Sequence, residues 1–361
     1  MIYFLVTRRN QHTIQNFLKS GDRRFCGRVK IILWENIKTL RHIQAGTFIF
    51  SDLDMLTPLQ REVAAEIYQQ LSSNYAHLTL LNNPNKVLLR YELLKKMYQL
   101  GINRFKAVLA TEAFDSLRFP VFVREANRHT GSLTSLIHSV EELHKHIWVL
   151  DFLGYPLKDL LVIEYLKASI ADGVYMKHSA FILGNRVMPR YLNYSYHWMM
   201  KSSIAAGDAL MESKKDEVEA FMRNNPHNDW LLKNFQISGI SYGRADYSIV
   251  NGELQLWEIN LNPAFILPPR EPEKDNNQQR MMRNMFYKQF FDEMERIDYQ
   301  GNDIVNLGIS ESQLAKMKTT FAFRINEWFR RRLVKKKLRY RIMRATSYAI
   351  AYSFLRLRFK S

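Results

Sequence analysis

Apolar positions near the start of the chain fall into four short β-rich runs, Ile2 to Val6, Val29 to Trp34, Thr47 to Ser51 and Leu78 to Leu81, with helical stripes between them. Thr57-Pro58-Leu59-Gln60 has the form of a capping box with proline at the first helical position, and the stripe continues through Glu66 to about Leu71. Strands alternating with helices predict a small parallel α/β domain over residues 1–81. No Gly-x-Gly-x-x-Gly follows the first strand, so this domain shows no dinucleotide fingerprint.

The turn Asn82-Asn83-Pro84-Asn85-Lys86 leads into a helix predicted from about Asn85 to Leu100 and stopped by Gly101. On it Lys86 and Arg90 lie four apart and share a face, either as a solvated basic pair or as an anion contact. Phe119 to Arg124 reads as a buried strand ending in a cation, followed by the polar loop Glu125 to Ser132. A helix begins at Ser139 to Lys145, and Leu160 to Leu166 is a buried strand running into a linker. Val174 to Leu183 and Arg186 to Leu192 flank Gly184-Asn185 as a hairpin carrying Lys177 and Arg190. The aromatic-rich Tyr191 to Lys201 segment is either core or the lining of an acceptor pocket. Helices follow at Ser213 to Asn224 and around Trp230 to Gln236. After a breaker-rich linker from Pro268 to Asn277, Met281 to Arg296 is helical.

The chemistry concentrates between Gly243 and Pro263. Ala245 to Val250 and Leu254 to Ile259 flank Asn251-Gly252, a strong signal for an antiparallel hairpin. Asp246 begins one strand while Glu258 and Asn260 close the other, so three side-chain oxygens gather at one end, a hard donor set that suits magnesium. With a two-residue turn and regular pairing, Asp246 would face Trp257 and Glu258 would be sent to the other side of the sheet. A three-residue loop, Val250-Asn251-Gly252 with Gly252 left-handed as a bulge, restores the parity and is the expected turn. Arg244, two residues before Asp246, shares its face and can hold an anion beside the metal.

Composition narrows the setting. Among 361 residues there is one cysteine, Cys26, which excludes an internal disulfide and any multi-cysteine zinc site and fits a reducing, cytoplasmic compartment. Met1 to Thr7 is too short an apolar run, without a basic lead-in, for a secretory signal, and no 18-residue apolar stretch is free of charge. The net charge is +17, but Phe321 to Ser361 holds thirteen Lys or Arg and one acid, so about +12 of it lies in this tail. Ile325, Trp328 and Phe329 sit at helical spacing within it. A basic amphipathic helix of this kind suits an anionic membrane surface, with nucleic acid or its own domain as other partners.

The order Gly243-Arg244-Ala245-Asp246, a strand pair, then Glu258-Ile259-Asn260-Leu261-Asn262-Pro263 resembles the metal-binding end of the ATP-grasp superfamily. The resemblance covers about residues 80 to 270. It implies an α/β (α+β) chain: a pre-ATP-grasp-like domain over 1–81, an ATP-grasp nucleotide-binding domain with antiparallel sheets over 82–270, and a helical extension over 271–361 ending in the basic tail. By the same resemblance Asp246, Glu258 and Asn260 hold Mg2+, or Mn2+, against the phosphates of ATP, while Arg244 contacts phosphate or substrate. Asn85 and Arg90 replace the outer residues of an Asp-Lys-x-x-x-Lys segment, and Arg124 takes the place of a phosphate-binding Lys. Ser132 donates from a phosphate loop whose only glycine is Gly131, a departure from the family's Gly-rich loop. Glu164, Tyr165 and Leu166 read adenine by main chain, Asp172 holds ribose, and Lys177 and Arg190 bind phosphate or substrate. The implied activity is ligation of a carboxylate to an amine through an acyl phosphate. A degenerate scaffold that docks on membrane or nucleic acid, and a kinase acting on a hydroxyl, are the alternatives. The implied location is the cytoplasm or the inner face of the membrane.

Overall fold

In the computed structural model, residues 1–19, 23–128, 131–170, 173–200, 208–265 and 277–318 are described. Asp172, His129, Thr130, most of the 268–277 linker and the basic tail from 321 lie outside them. Two compact units emerge: Met1–Leu93 with Lys167–Lys318, and Leu94–Leu166.

The first unit opens with β1 (Ile2–Val6), α1 (His12–Lys19), β2 (Val29–Leu33), β3 (His42–Gln44), β4 (Thr47–Phe50), α2 (Pro58–Asn74), β5 (Leu80–Leu81) and the start of α3 (Arg90–Gln99). Strands β2-β1-β4-β5 form one parallel sheet, the expected α/β domain. All five residues of β1 are buried, as in a parallel sheet covered on both faces. The capping box of α2 is present, with Thr57 and Gln60 satisfying each other's backbone amides. Helix α3 starts at Arg90, five residues later than expected, because the backbone at 84–86 is a turn. Lys86 therefore shares no helical face with Arg90.

The second unit holds β6 (Ala107–Leu109), β7 (Val121–Glu125), α4 (Val140–Phe152) and β8 (Leu160–Glu164). Its antiparallel sheet has the order β6-β8-β7. Val121, Val123, Ile137, Leu143, Leu160 and Val162 form its core.

The chain then returns to the first unit with β9 (Tyr175–Leu183), β10 (Arg186–Ser195), α5 (Asp208–Ser213), α6 (Lys215–Asn224), α7 (Asn228–Ile237), β11 (Tyr242–Val250), β12 (Glu253–Asn260), α8 (Asn277–Ile297), β13 (Ile304–Asn306) and α9 (Glu311–Met317). Both predicted hairpins form, and they join into an antiparallel sheet of order β10-β9-β11-β12. On one face His178 and Tyr247 pack against Phe221 of α6, and Trp230 of α7 covers Tyr247. On the other, Phe181 packs against Phe286 and Phe290 of α8, and Tyr242 meets Phe4 of β1. The ladder between β13 and β3 had no sequence forecast, since its two three-residue strands are about 260 positions apart. Among the described residues no helix is long and apolar enough to cross a membrane.

Candidate active site

The β11–β12 hairpin departs from the expected turn and still reaches the expected result. Val250 pairs with Glu253, so the loop has two residues, Asn251 and Gly252, with φ of 51° and 81°. Positive φ at both positions is what a type I′ turn requires. Parity is restored further along instead: Tyr247 pairs with Leu256 while Asp246 pairs with Glu258, leaving Trp257 as the extra residue of a bulge. The three-residue loop is thus corrected to a tight turn plus an internal bulge. Arg244 pairs with Asn260 in the same ladder, so period-two alternation brings Arg244, Asp246, Glu258 and Asn260 to one face.

Asp246 is the hub of this face. Its Oδ1 accepts from Ser179 Oγ at 2.9 Å, Arg244 Nε at 3.1 Å and Tyr191 OH at 3.4 Å, and its Oδ2 accepts from Lys177 Nζ at 3.2 Å. Burial opposes ionisation of Asp246, but Arg244 and Lys177 outweigh it and hold the carboxyl below its ordinary pKa. Burial likewise works to discharge Lys177 and Arg244, and Asp246 overrides it, so both cations stay charged with raised pKa values. Glu258 Oε2 accepts from Arg90 Nη2 at 2.7 Å, and Asn260 Nδ2 lies 3.5 Å from Glu258 Oε1.

A second bulge lies across the sheet. Pro189 pairs with Ala180 and Tyr191 with Ser179, so Arg190 is the extra residue on β10, beside the Tyr191 that reaches Asp246. The guanidinium carbon of Arg190 sits 4.5 Å from the ring centre of Phe286 on α8. Of the sequence-predicted residues, the first unit therefore brings together Arg90, Lys177, Arg190, Arg244, Asp246, Glu258 and Asn260.

The remaining described candidates belong to the second unit. Arg124 on β7 donates from Nη2 to the Arg128 carbonyl at 3.3 Å, and the Ser132 hydroxyl donates to the Val123 carbonyl at 3.3 Å. The amides of Glu164 and Tyr165 donate to the Lys106 and Pro120 carbonyls at 3.0 and 2.9 Å. Adenine recognition through those two amides is thereby corrected, which leaves the carbonyls and Leu166 for that role. The Glu164 carboxylate accepts from the Arg118 guanidinium at 2.7 Å and the Lys106 amide at 3.0 Å, bracing the ends of its sheet.

Three contributors escaped the sequence reading. Ser179 follows Lys177 at strand period, a signal usable once β9 is known to pair with β11. Asn82 accepts the amides of Ser241 and Tyr242 at 2.8 and 2.9 Å and donates to the Tyr242 carbonyl at 2.8 Å, fixing the start of β11. Asn262 accepts from Thr13 Oγ1 at 2.9 Å, and Asn10 donates to Asp52 Oδ1 at 2.7 Å. These contacts tie the end of the metal-binding motif to the loops after β1 and β4.

Two carboxylates and an amide oxygen on one face match the hard-oxygen chemistry of Mg2+ in type. Among the described residues no group of three or more His, Cys, Asp or Glu is arranged for a metal, so a cation here would take Asn260 and ligand oxygens as well.

The described chain is thus a mixed α/β protein whose four-stranded antiparallel sheet collects acids and cations at one end. It is similar to D-alanine–D-alanine ligase from Bacillus anthracis, with 14% identity, a TM-score of 0.46, and coverage of 82% of this chain and 97% of that one. A second structure of that enzyme, complexed with ATP, gives 12% identity and the same TM-score over 82% of this chain and 99% of that one. L-amino acid ligase from Bacillus licheniformis matches at 11% identity and a TM-score of 0.37, over 79% of this chain and 73% of that one. No protein-family model and no curated protein sequence matches the chain.

Proposed function

We propose that this protein is an ATP- and Mg2+-dependent ligase of the ATP-grasp kind that joins a carboxylate to an amine or similar nucleophile. The observation that carries the reading is the one-faced set Arg244, Asp246, Glu258 and Asn260, present only because Trp257 is bulged out of the ladder. In this reading Asp246, Glu258 and Asn260 hold the metal, which supplies charge neutralisation on the γ-phosphate when bound. Arg244 and Lys177 then turn from Asp246 toward the transferring phosphoryl group, and Arg90 does so from Glu258. A carboxylate oxygen of the substrate bonds to the γ-phosphorus as the bond to ADP breaks, giving an acyl phosphate. The nucleophile next bonds to the acyl carbon, loses its proton and expels phosphate. The products are ADP, phosphate and the amide.

In the second unit, Arg124, Ser132 and the main chain at Leu166 are assigned to ATP, and Asp172 to its ribose. The basic tail is assigned to an anionic membrane surface, with nucleic acid as the lesser partner, and the protein to the cytoplasm or its membrane face. The test is ADP release with Mg2+ across pools of amino acids and cell-envelope precursors. Release that requires both a carboxylate and an amine supports the ligase. Release with a polyol alone would make it a kinase, and no nucleotide binding would make it a scaffold.

A further inference from the structure

Arg190 is a charge without a counter-charge. It is 1% exposed, and its Nε and Nη2 are buried with no hydrogen-bond partner. Desolvation is the main cause that draws its pKa down to about 10, with Arg244 and Arg283 pushing the same way and Tyr287 and Tyr191 opposing. The group is still a cation at neutral pH. Phe286, and Tyr287 at 6.0 Å, face the guanidinium, but ring faces repay only part of what a buried ion loses in leaving water. Among the described residues no carboxylate pairs with it.

The position is built, not accidental. The β10 bulge sets Arg190 beside Tyr191, whose ring centre lies 5.5 Å from the Arg244 guanidinium carbon and 5.8 Å from Lys177 Nζ. Helix α8 supplies Phe286 and Tyr287, and one turn before Tyr287 it supplies Arg283, which is itself 6% exposed. Two buried guanidiniums from different elements thus converge next to the Asp246 hub, and an oxyanion between them would relieve both. Arg side chains present the forked donors that carboxylate and phosphate oxygens accept.

We propose that Arg190 and Arg283 form the receptor for an oxyanion on the substrate that is not ATP, a carboxylate or phosphate separate from the carboxylate that is activated. This rests on the ligase reading for the word substrate, while the anion site itself stands on Arg190 alone. The donor is then a molecule with two acidic groups, one anchored on the α8 side and the other presented to the γ-phosphate.

The experiment is calorimetric titration of the full-length protein with succinate, acetate and glycerol phosphate at fixed ionic strength, repeated with Mg2+ and ATP. Wild type, Arg190→Met, Arg283→Met and Arg190→Lys are compared. Methionine keeps the packing on Phe286 without the charge, and Arg283→Met serves if Arg190→Met does not fold. The expected result is that succinate or glycerol phosphate binds wild type and acetate binds far less. Each methionine variant weakens that binding at least about tenfold, the loss of one charged hydrogen-bonding partner, and lysine restores part of it. Succinate responding alone identifies a carboxylate, and glycerol phosphate responding alone a phosphate. Anion binding absent from wild type, or equal in the variants, overturns the proposal. Anion binding that follows the variants while Mg2+ and ATP never bind retains the anion site and removes the ligase reading.

Discussion

Asp246 stands across the β11–β12 ladder from Glu258 because Trp257 is held out of register between Leu256 and Glu258. The indole Nε1 donates to Ser248 Oγ at 2.9 Å, which anchors the extra residue. A regular ladder from the same two-residue turn would have opposed Asp246 with Trp257 and left Glu258 on the far face. The bulge is thus what makes a common hairpin into an ion-binding end.

Arg90 and Glu258 form an ion pair at 2.7 Å with side chains 7% and 17% exposed. Glu258→Ala takes this carboxylate from a buried guanidinium and is expected to lower stability by about 3 kcal/mol in the absence of ligand. A double-mutant cycle with Arg90→Met, followed by chemical denaturation, is expected to give a coupling of about 1–3 kcal/mol. Coupling near zero would show that the pair carries no weight.

Asn82 is 1% exposed and makes three hydrogen bonds to the backbone of Ser241 and Tyr242. Asn82→Ala strands those groups and is expected to cost about 3 kcal/mol, read as a drop in the urea midpoint. Asn82→Asp keeps the acceptor for both amides and should lose less.

Gly252 has φ of +81°, and a Cβ there would meet nothing within 4 Å. Its replacement is a pure backbone test. Gly252→Ala is expected to destabilise by about 1 kcal/mol through left-handed strain, and Gly252→Asn by less. Equal stability of glycine and alanine variants would argue against the tight turn.

His178 is 4% exposed, and burial first, then nearby His227, pulls its pKa down to about 3. Its ring stacks on Tyr247 at 5.1 Å, and His227 Nδ1 lies 3.1 Å from the Tyr247 hydroxyl. The unfolded chain takes up a proton below about pH 6.5 while the folded one does not. The contribution is therefore intact above that pH and is lost as pH falls toward 3, by about 2 kcal/mol at pH 5. Asp52 works in the opposite sense, since burial and then Asp54 raise its pKa to about 6. The readout is accordingly the difference between wild type and His178→Phe, whose stability should fall less steeply from pH 6.5 to 5. Parallel profiles would contradict the buried neutral imidazole.

Elements whose signal is local were legible from sequence. The strand runs of the parallel sheet, the Thr57 cap and both hairpins needed only period, turn residues and propensity, and they formed where expected. The pairing of Asp246 with Glu258 was also legible, because the chemistry required one face. The bulge that achieves it was not: an extra residue can be absorbed at the turn or inside the ladder, and only packing around Trp257 and Ser248 decides. Ser179, Asn82 and Arg283 were hidden because each acts through a partner far away in sequence. Glu164 was placed at a hinge by resemblance, whereas its carboxylate braces Arg118 and Lys106, a role that needs the β6 end to be visible.

The most direct test of the central claim is equilibrium binding of ATP to the full-length protein, with and without Mg2+, in wild type and Glu258→Gln. The account predicts binding that needs Mg2+ in wild type and weakens by about thirtyfold or more when the carboxylate becomes an amide. Binding that is indifferent to Mg2+, or identical in the two proteins, would contradict it.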